Sequence, residues 1–301
     1  MKIFITGGSG FLGSHWVTHL NSLGYEVTAP NSKECNLRVQ TDLNSFTKNF
    51  DLILHLAAWT QAGDWCLTHP GEQWLLNQQI NYNILDWWLN HQPQAKLIGI
   101  GTSCSYDPTI PLTEENYLVG KPDNSLLTYA YTKRMLYQGM VALSSQFSLD
   151  FLHLIPATLY GNNYASSHKQ KHFIFDLIDK INRGKKLNET VELWGDGYQR
   201  RELTYVQDFI NNSMELITKN TFNESFNLGS NHDYTIREFA QLICDIVDYD
   251  FNKIVFNESK FTGVRKKLLD SSKAIDLLSN YQISNLQSTL RDIVVSRSSF
   301  S

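Results

Sequence analysis

The chain is sparing with cysteine: Cys35, Cys66, Cys104 and Cys244 are the four in 301 residues. No two form a Cys-x-x-Cys pair, which excludes the usual zinc cluster and redox dithiol, and no metal site is expected. No stretch reaches the roughly 18 apolar residues of a membrane-spanning helix. The chain opens on a strand and a glycine loop instead of a signal peptide, so a reducing cytoplasm is the expected address. A net charge of −4 gives no general attraction to nucleic acid or an anionic membrane, although a local basic patch can still hold phosphate. Repeats, low-complexity tracts and linkers are absent too. What remains is an ordinary globular composition, 42% apolar and 19% charged, long enough for one large domain or two smaller ones.

The first half alternates strand and helix patterns. Lys2–Thr6, Glu26–Ala29, Leu52–Leu56, Lys96–Gly101 and Phe151–Ile155 read as strands. Phe11–Leu23, Leu43–Asn49, Trp74–Asn90 and Thr128–Ser145 read as helices from their apolar spacing. Such alternation predicts a parallel sheet covered on both faces, and right-handed crossovers then give an α/β, Rossmann-type doubly wound fold. The second half is less regular. Phe173–Ile181, Thr235–Val247 and Ser271–Leu278 read as helices, and Val191–Trp194 as a strand before the turn Gly195-Asp196-Gly197. The expected division is a dinucleotide-binding domain over 1–160 and a mainly substrate-binding α/β part over 161–301, with some segments of the latter returning to the main sheet.

Two motifs carry chemistry. Directly after the first strand comes Thr6-Gly7-Gly8-Ser9-Gly10-Phe11-Leu12-Gly13. Glycine lets backbone approach a pyrophosphate, and the N-terminus of the following helix attracts its charge. The strand–loop–helix setting is what gives the glycine triplet its weight. The end of the second strand should choose between NAD and NADP. Asn31, Ser32 and Lys33 stand there and can hold a 2′-phosphate, which favours NADP; Glu34 keeps NAD open.

The second motif is Tyr-x-x-x-Lys, which occurs at Tyr117/Lys121, Tyr129/Lys133 and Tyr249/Lys253. The first contains Gly120 and precedes Pro122, so it is poorly helical. The third lies far from the nucleotide-binding half. Only the Tyr129 pair opens a long helix, with both side chains on one face. A free tyrosine has a pKa near ~10, and a nearby ammonium lowers it. Tyr129 can then exchange a proton with a substrate oxygen while hydride moves at carbon. Lys133 can also hold the nicotinamide ribose, and Thr102 or Ser103 can hydrogen-bond the same substrate oxygen.

These features resemble the extended short-chain dehydrogenase/reductase family, whose members mostly act on nucleotide sugars, and within it the GDP-4-keto-6-deoxymannose epimerase/reductases. The resemblance covers nearly the whole chain. It runs through His55-Leu56-Ala57-Ala58, Gly101-Thr102-Ser103-Cys104-Ser105-Tyr106, Thr113-Glu114-Glu115, Tyr129-Ala130-Tyr131-Thr132-Lys133 and Pro156-Ala157-Thr158-Leu159-Tyr160-Gly161. It continues through His172-Phe173-Ile174, Trp194-Gly195-Asp196-Gly197, Arg201-Glu202-Leu203 and Lys267-Leu268-Leu269-Asp270. It implies that Thr102 assists Tyr129 and Lys133. It also implies that Cys104 and His172 carry protons during epimerisation, because a 4-ketone acidifies the C–H bonds at C3 and C5. Cys104 needs thiolate character for that task, which a cationic neighbour can supply.

The same resemblance implies a cofactor site that includes Asn36, Leu37, Leu56, Ala57, Ala58, Pro156 and Thr158. It implies a substrate site that includes Thr60, Gln61, Cys104, Thr158, His172, Lys180, Trp194, Arg201 and Lys267. Trp194 can stack on a base and Arg201 can fork onto phosphate; Lys180 stands where the family usually has Arg, so its phosphate contact would be monodentate. The family further implies a homodimer through the helix carrying Tyr129 and the one before it. Leu85, Trp87, Trp88, Met135, Leu136 and Met140 are candidates for that interface or for the intrachain core.

Three departures stand out. The run Trp59-Thr60-Gln61-Ala62-Gly63-Asp64-Trp65-Cys66 replaces a Lys-Val-Gly-Gly-like loop that borders the sugar. Ser105 replaces an apolar residue and Asp107 a proline. No Thr-Asp-Glu dehydratase signature follows Gly101, which argues against 4,6-dehydration. The expectation is an NAD(P)-dependent nucleotide-sugar oxidoreductase acting at C4, on a GDP-sugar, as a 4-keto reductase with 3,5-epimerase competence. The alternatives are a nucleotide-sugar 4-dehydrogenase or 4-epimerase that keeps NAD(H) bound, and a non-catalytic NAD(P)-binding regulator.

Overall fold

The computed structural model describes residues 1–60, 65–164, 171–260 and 262–298. The first half runs β1 (Lys2–Thr6), α1 (Phe11–Ser22), β2 (Glu26–Thr28), α2 (Gln40–Asn44), β3 (Leu52–His55), α3 (Trp65–Thr68), α4 (Pro70–His91), β4 (Lys96–Ile100), α5 (Leu127–Phe147) and β5 (Phe151–Pro156). The second half adds β6 (Thr158–Tyr160), α6 (Phe173–Leu187), β7 (Val191–Trp194), β8 (Arg200–Tyr205), α7 (Val206–Thr218), β9 (Glu224–Leu228), β10 (Asp233–Thr235), α8 (Ile236–Val247), β11 (Ile254–Asn257), β12 (Lys266–Lys267), α9 (Ser272–Leu277) and α10 (Leu286–Ser298).

Six parallel strands form the main sheet in the order β2-β1-β3-β4-β5-β9. Successive side chains on a strand point to opposite faces, so each strand feeds two cores. Ile3, Ile5, Leu52, Leu54, Ile98, Leu152 and Leu154 face one core with Trp16, Leu20, Phe209 and Ile210. Phe4, Ile53, Leu97 and Phe151 face the other with Ile84, Trp87, Trp88, Leu136 and Met140. Burial on both faces is why these strands read as continuous apolar runs. The strand order reverses between β1 and β3, and the carboxyl ends there make the crevice in which doubly wound folds bind ligands.

The second half supplies β9 as the far edge of the main sheet and a separate core built on Ile174, Phe175, Ile178, Phe239, Ile243 and Val294. Its remaining strands are short: β10-β8-β12 with β6 beside β8, and β11 beside β7. Helix α8 starts at a capping box, in which the Thr235 hydroxyl accepts the Glu238 N–H at 3.1 Å and Glu238 accepts the Thr235 N–H at 2.6 Å.

Two expectations need correction. The helix expected at Leu43–Asn49 lies earlier, at Gln40–Asn44. The Asp42 carboxylate accepts the Asn36 N–H at 2.9 Å and Gln40 donates to Asp86 at 3.0 Å, which anchors the earlier start. Asn44, Ser45 and Thr47 are weak helix formers and let it end. Trp87, Trp88, Leu136 and Met140, offered as interface or core, are fully buried within the chain. Leu85 packs against the same core, and Met135 alone of that group is exposed.

Candidate active site

The glycine loop sits at the carboxyl end of β1. Gly7 has φ +70°, and a Cβ there would stand 2.9 Å from the Ala57 nitrogen. A Cβ on Gly13 would collide with the Gly7 carbonyl oxygen and stand 2.7 Å from the Gly8 Cα. Gly10 is the N-cap of α1 and offers no side-chain cap. The first-turn N–H groups, those of Phe11 and Leu12 among them, are thus left to an anion. These features fit the pyrophosphate of a dinucleotide. Ala57 and Leu56 border the loop from β3, since the Thr6 hydroxyl accepts both of their N–H groups at 3.2 and 3.1 Å; Ala58 follows them. Pro156 and Thr158 lie at the end of β5 and the start of β6.

Beyond β2, Asn31, Ser32 and Lys33 are exposed. The Glu34 carboxylate folds back and accepts the Asn31 N–H at 2.9 Å, while the Asn31 side chain accepts the Lys33 N–H at 2.9 Å. Glu34 thereby helps to close its own turn. Asn36 and Leu37 follow, half-buried, on the same loop.

A line of hydrogen bonds joins this loop to helix α5. Thr6 accepts two N–H groups, so its proton goes to His55 Nδ1 at 2.9 Å. His55 Nε2 then donates to Asn81 Oδ1 at 3.2 Å, and Asn81 Nδ2 donates to the Thr132 carbonyl at 3.2 Å. Burial, then the charge of Lys133, pushes His55 down to about 4, so the ring is neutral as this pattern requires. Asn81 carries no local sequence signal.

Tyr129 and Lys133 project from the first turns of α5, which Arg134 fastens to the preceding loop through bonds to the carbonyls of Ser105, Val119 and Gly120, each at 2.8 Å. The Thr102 side chain stands near the Tyr129 hydroxyl and favours its ionised form slightly. Burial, with the nearby Cys104, pushes Tyr129 well above the ordinary tyrosine range. Lys133 is buried and falls to about 8 by loss of hydration. The expected lowering of Tyr129 is therefore reversed here: loss of hydration dominates, and Tyr129 stands as a proton donor.

Cys104 lies just past Thr102, whose hydroxyl accepts its N–H at 3.3 Å. The Lys267 ammonium donates to the Cys104 sulfur at 3.0 Å. Burial opposes ionisation, yet Lys267, Thr102 and Arg201 together hold this thiol below the usual cysteine range. His172 is the N-cap of α6. The residue is exposed, yet loss of hydration at the ring, then the Lys267 charge, pushes it down to about 4. Lys267 thus borders both proton-handling groups.

Trp194 ends β7 with 46% of its surface exposed. The Lys180 ammonium lies 5.6 Å from its ring centre and pairs with Asp176 at 2.8 Å. Arg201 donates to the carbonyls of Arg200 and Thr262 at 2.8 and 2.9 Å. Thr60 accepts from Gln73 at 3.5 Å; Gln61 lies outside the described residues. Cys66 is a neighbour that sequence reasoning missed. Burial raises its thiol, and Cys104 adds to that rise, as Cys66 adds to that of Tyr129. Its one signal was membership of the departing 59–66 loop.

Glycine loop, Tyr/Lys helix and doubly wound sheet together define a nucleotide-cofactor oxidoreductase of the short-chain type. Residues 3–229 match the NAD dependent epimerase/dehydratase family, and the chain belongs to it. The chain is 31% identical over 296 residues to a GDP-L-colitose synthase of Yersinia pseudotuberculosis, covering 95% of this chain and 93% of that protein. It is 30% identical over 278 residues to a probable GDP-L-fucose synthase 1 of Oryza sativa subsp. japonica, covering 90% and 84%. In fold it matches a GDP-6-OMe-4-keto-L-xylo-heptose reductase from C. jejuni with a TM-score of 0.87 at 20% identity, covering 100% and 98% of the two chains. A UDP-glucose 4-epimerase of Thermotoga maritima gives 0.86 at 22% identity, covering both chains fully. The family kinship expected from the motifs is borne out.

Proposed function

We propose that this protein is an NADP-preferring GDP-sugar 4-keto reductase that also exchanges and inverts a carbon centre beside the ketone. The observation that carries the reading is a cleft in which the half-buried Tyr129, kept protonated chiefly by loss of hydration, stands near Cys104, whose sulfur accepts from Lys267 at 3.0 Å. The names of the relatives supply the GDP-sugar class.

When bound, the nicotinamide supplies hydride; the remaining tasks belong to the chain. The Cys104 thiolate takes a proton from the carbon next to the ketone and becomes a thiol. The C–H electron pair passes onto the C4 oxygen, toward the donors Tyr129 and Thr102. His172, in its imidazolium form, returns a proton to that carbon and is left neutral; its lowered pKa makes that form a strong acid. In the reduction, Tyr129 gives its proton to the C4 oxygen, and Lys133 stabilises the phenolate left behind. Asn31, Ser32 and Lys33 favour a 2′-phosphate, and Trp194, Lys180 and Arg201 take the nucleotide end. A homodimer through α4 and α5 would cover Leu75, Tyr82, Tyr131 and Met135, which are exposed on those helices.

The test is turnover with NADPH or NADH against GDP-linked and UDP-linked 4-keto sugars, with the product stereochemistry read by NMR. Net NADPH consumption with a GDP-4-keto sugar is expected. Interconversion of C4 epimers without net cofactor consumption would replace this reading with a 4-epimerase.

A further inference from the structure

Strand β12 is two residues long, yet it places four cations in two opposed sets. It pairs in parallel with β8, matching Lys266 to Arg200 and Lys267 to Arg201. Alternation along a strand sends the two matched pairs to opposite faces. On one face Arg200 bonds Asp233 at 2.8 Å, and Lys266 stands 3.6 Å from the same carboxylate. On the other, Lys267 meets Cys104, and Arg201 adds its charge. No carboxylate pairs with Lys267 or Arg201 among the described residues; the acceptor that the Lys267 ammonium meets is the Cys104 sulfur, at 3.0 Å.

The groups that act on Cys104 come from several elements. They are Lys267 on β12, Arg201 on β8, Thr102 beside it, Tyr129 on α5, Tyr117 in the preceding loop and Cys66 on α3. The tyrosines are held neutral by burial, as is Cys66, which leaves the two cations to decide the charge of the sulfur.

We infer that Lys267, by hydrogen-bonding the Cys104 sulfur, holds it as the thiolate base of carbon-proton exchange and is a positioning residue for that step. The inference rests on the exchange half of the proposed function. It also explains why a thiol serves as base in a cleft that otherwise disfavours anions.

The experiment is the pH profile of iodoacetamide alkylation on the full chain, read peptide by peptide by mass spectrometry, for wild type, Lys267→Met and Lys267→Arg. Cys35 and Cys244 are pushed up to about 11 and about 12 by burial, and Cys66 is raised, so reaction near pH 7 reports Cys104; Cys104→Ser provides the blank. Lys267→Met should cut alkylation at pH 7 about tenfold for each unit by which the profile moves up, and Lys267→Arg should restore much of it. Deuterium incorporation from solvent into the ketone substrate should slow in parallel in Lys267→Met. An unmoved alkylation profile, with only a raised KM for the nucleotide sugar, would overturn the inference and leave Lys267 as a phosphate ligand. A moved profile with no deuterium uptake by wild type would support the thiolate pairing and sink the exchange reading instead.

Discussion

Tyr129 and Lys133 lie four residues apart on the 21-residue helix α5, whereas Cys104 and Lys267 lie 163 residues apart and meet through a two-residue strand. The first pair is held by local geometry: helical spacing sets the side chains on one face, and packing of α5 on the sheet fixes the helix. The second pair exists only after β12 has paired with β8. Reduction chemistry therefore sits on the most regular part of the fold, and carbon-proton chemistry on one of its slightest elements. Local spacing makes a proton donor readable and robust; long-range strand pairing makes an ion pair that must be assembled.

The comparison can be broken most forcefully at Tyr129. Tyr129→Phe should lower turnover about 10²–10⁴-fold while sparing cofactor affinity, measured by steady-state kinetics and NADPH fluorescence titration. Retained turnover would detach the reduction from α5. Cys104→Ser should cut deuterium exchange on the order of a hundredfold but leave hydride transfer to a ketone that needs no epimerisation nearly intact. Equal losses in both steps would show that the two halves of the cleft are not separable.

Stability sharpens the contrast. Glu202 on β8 is buried and raised from 4.5 to about 7, chiefly by loss of hydration. The folded state thus binds its proton more tightly than the unfolded chain does. The contribution is complete below about 4.5 and is lost as pH rises through about 7. Urea unfolding should show a loss of about 2–3 kcal/mol from this group between pH 4.5 and 8, and Glu202→Gln should flatten that slope. In the cleft, Lys133 at about 8 predicts that turnover falls as pH rises past that value, by up to about tenfold per unit as the ammonium is lost. The smallest effect is expected at the exposed rim: Trp194→Ala should raise KM for the nucleotide sugar about tenfold, with kcat little changed.

Much of the first half was legible because its signals are short-range. The strand Lys2–Thr6 and the helix starting at Phe11 follow from apolar runs and a glycine loop, and helix α5 from its periodicity. Much of the second half was not. Strand β9 and helix α7 went unread, although α7 packs Phe209 and Ile210 on the main sheet. Strands of two or three residues such as β10 and β12 carry too few positions for alternation to register. Among site residues, spacing together with helical context picked out Tyr129 and Lys133. The Lys267–Cys104 contact has no local signature, and the family resemblance supplied the two residues without supplying their bond. The upward shift of Tyr129 was missed for another reason: burial is a property of the packed cleft, and reasoning from charge alone sees only the lysine.

The line from Thr6 through His55 and Asn81 to the Thr132 carbonyl has a directional grammar. Each member has one free donor or acceptor left for the next, and the imidazole tautomer is dictated from both sides. Replacing one member alone strands its two neighbours in a buried, water-poor channel, so the intermediates between one such sentence and another are penalised. Over evolutionary time these positions should change as a block or stay still. A designer grafting this reaction onto a foreign scaffold would have to carry the whole line across, because it ties the catalytic helix to the opening strand of the chain.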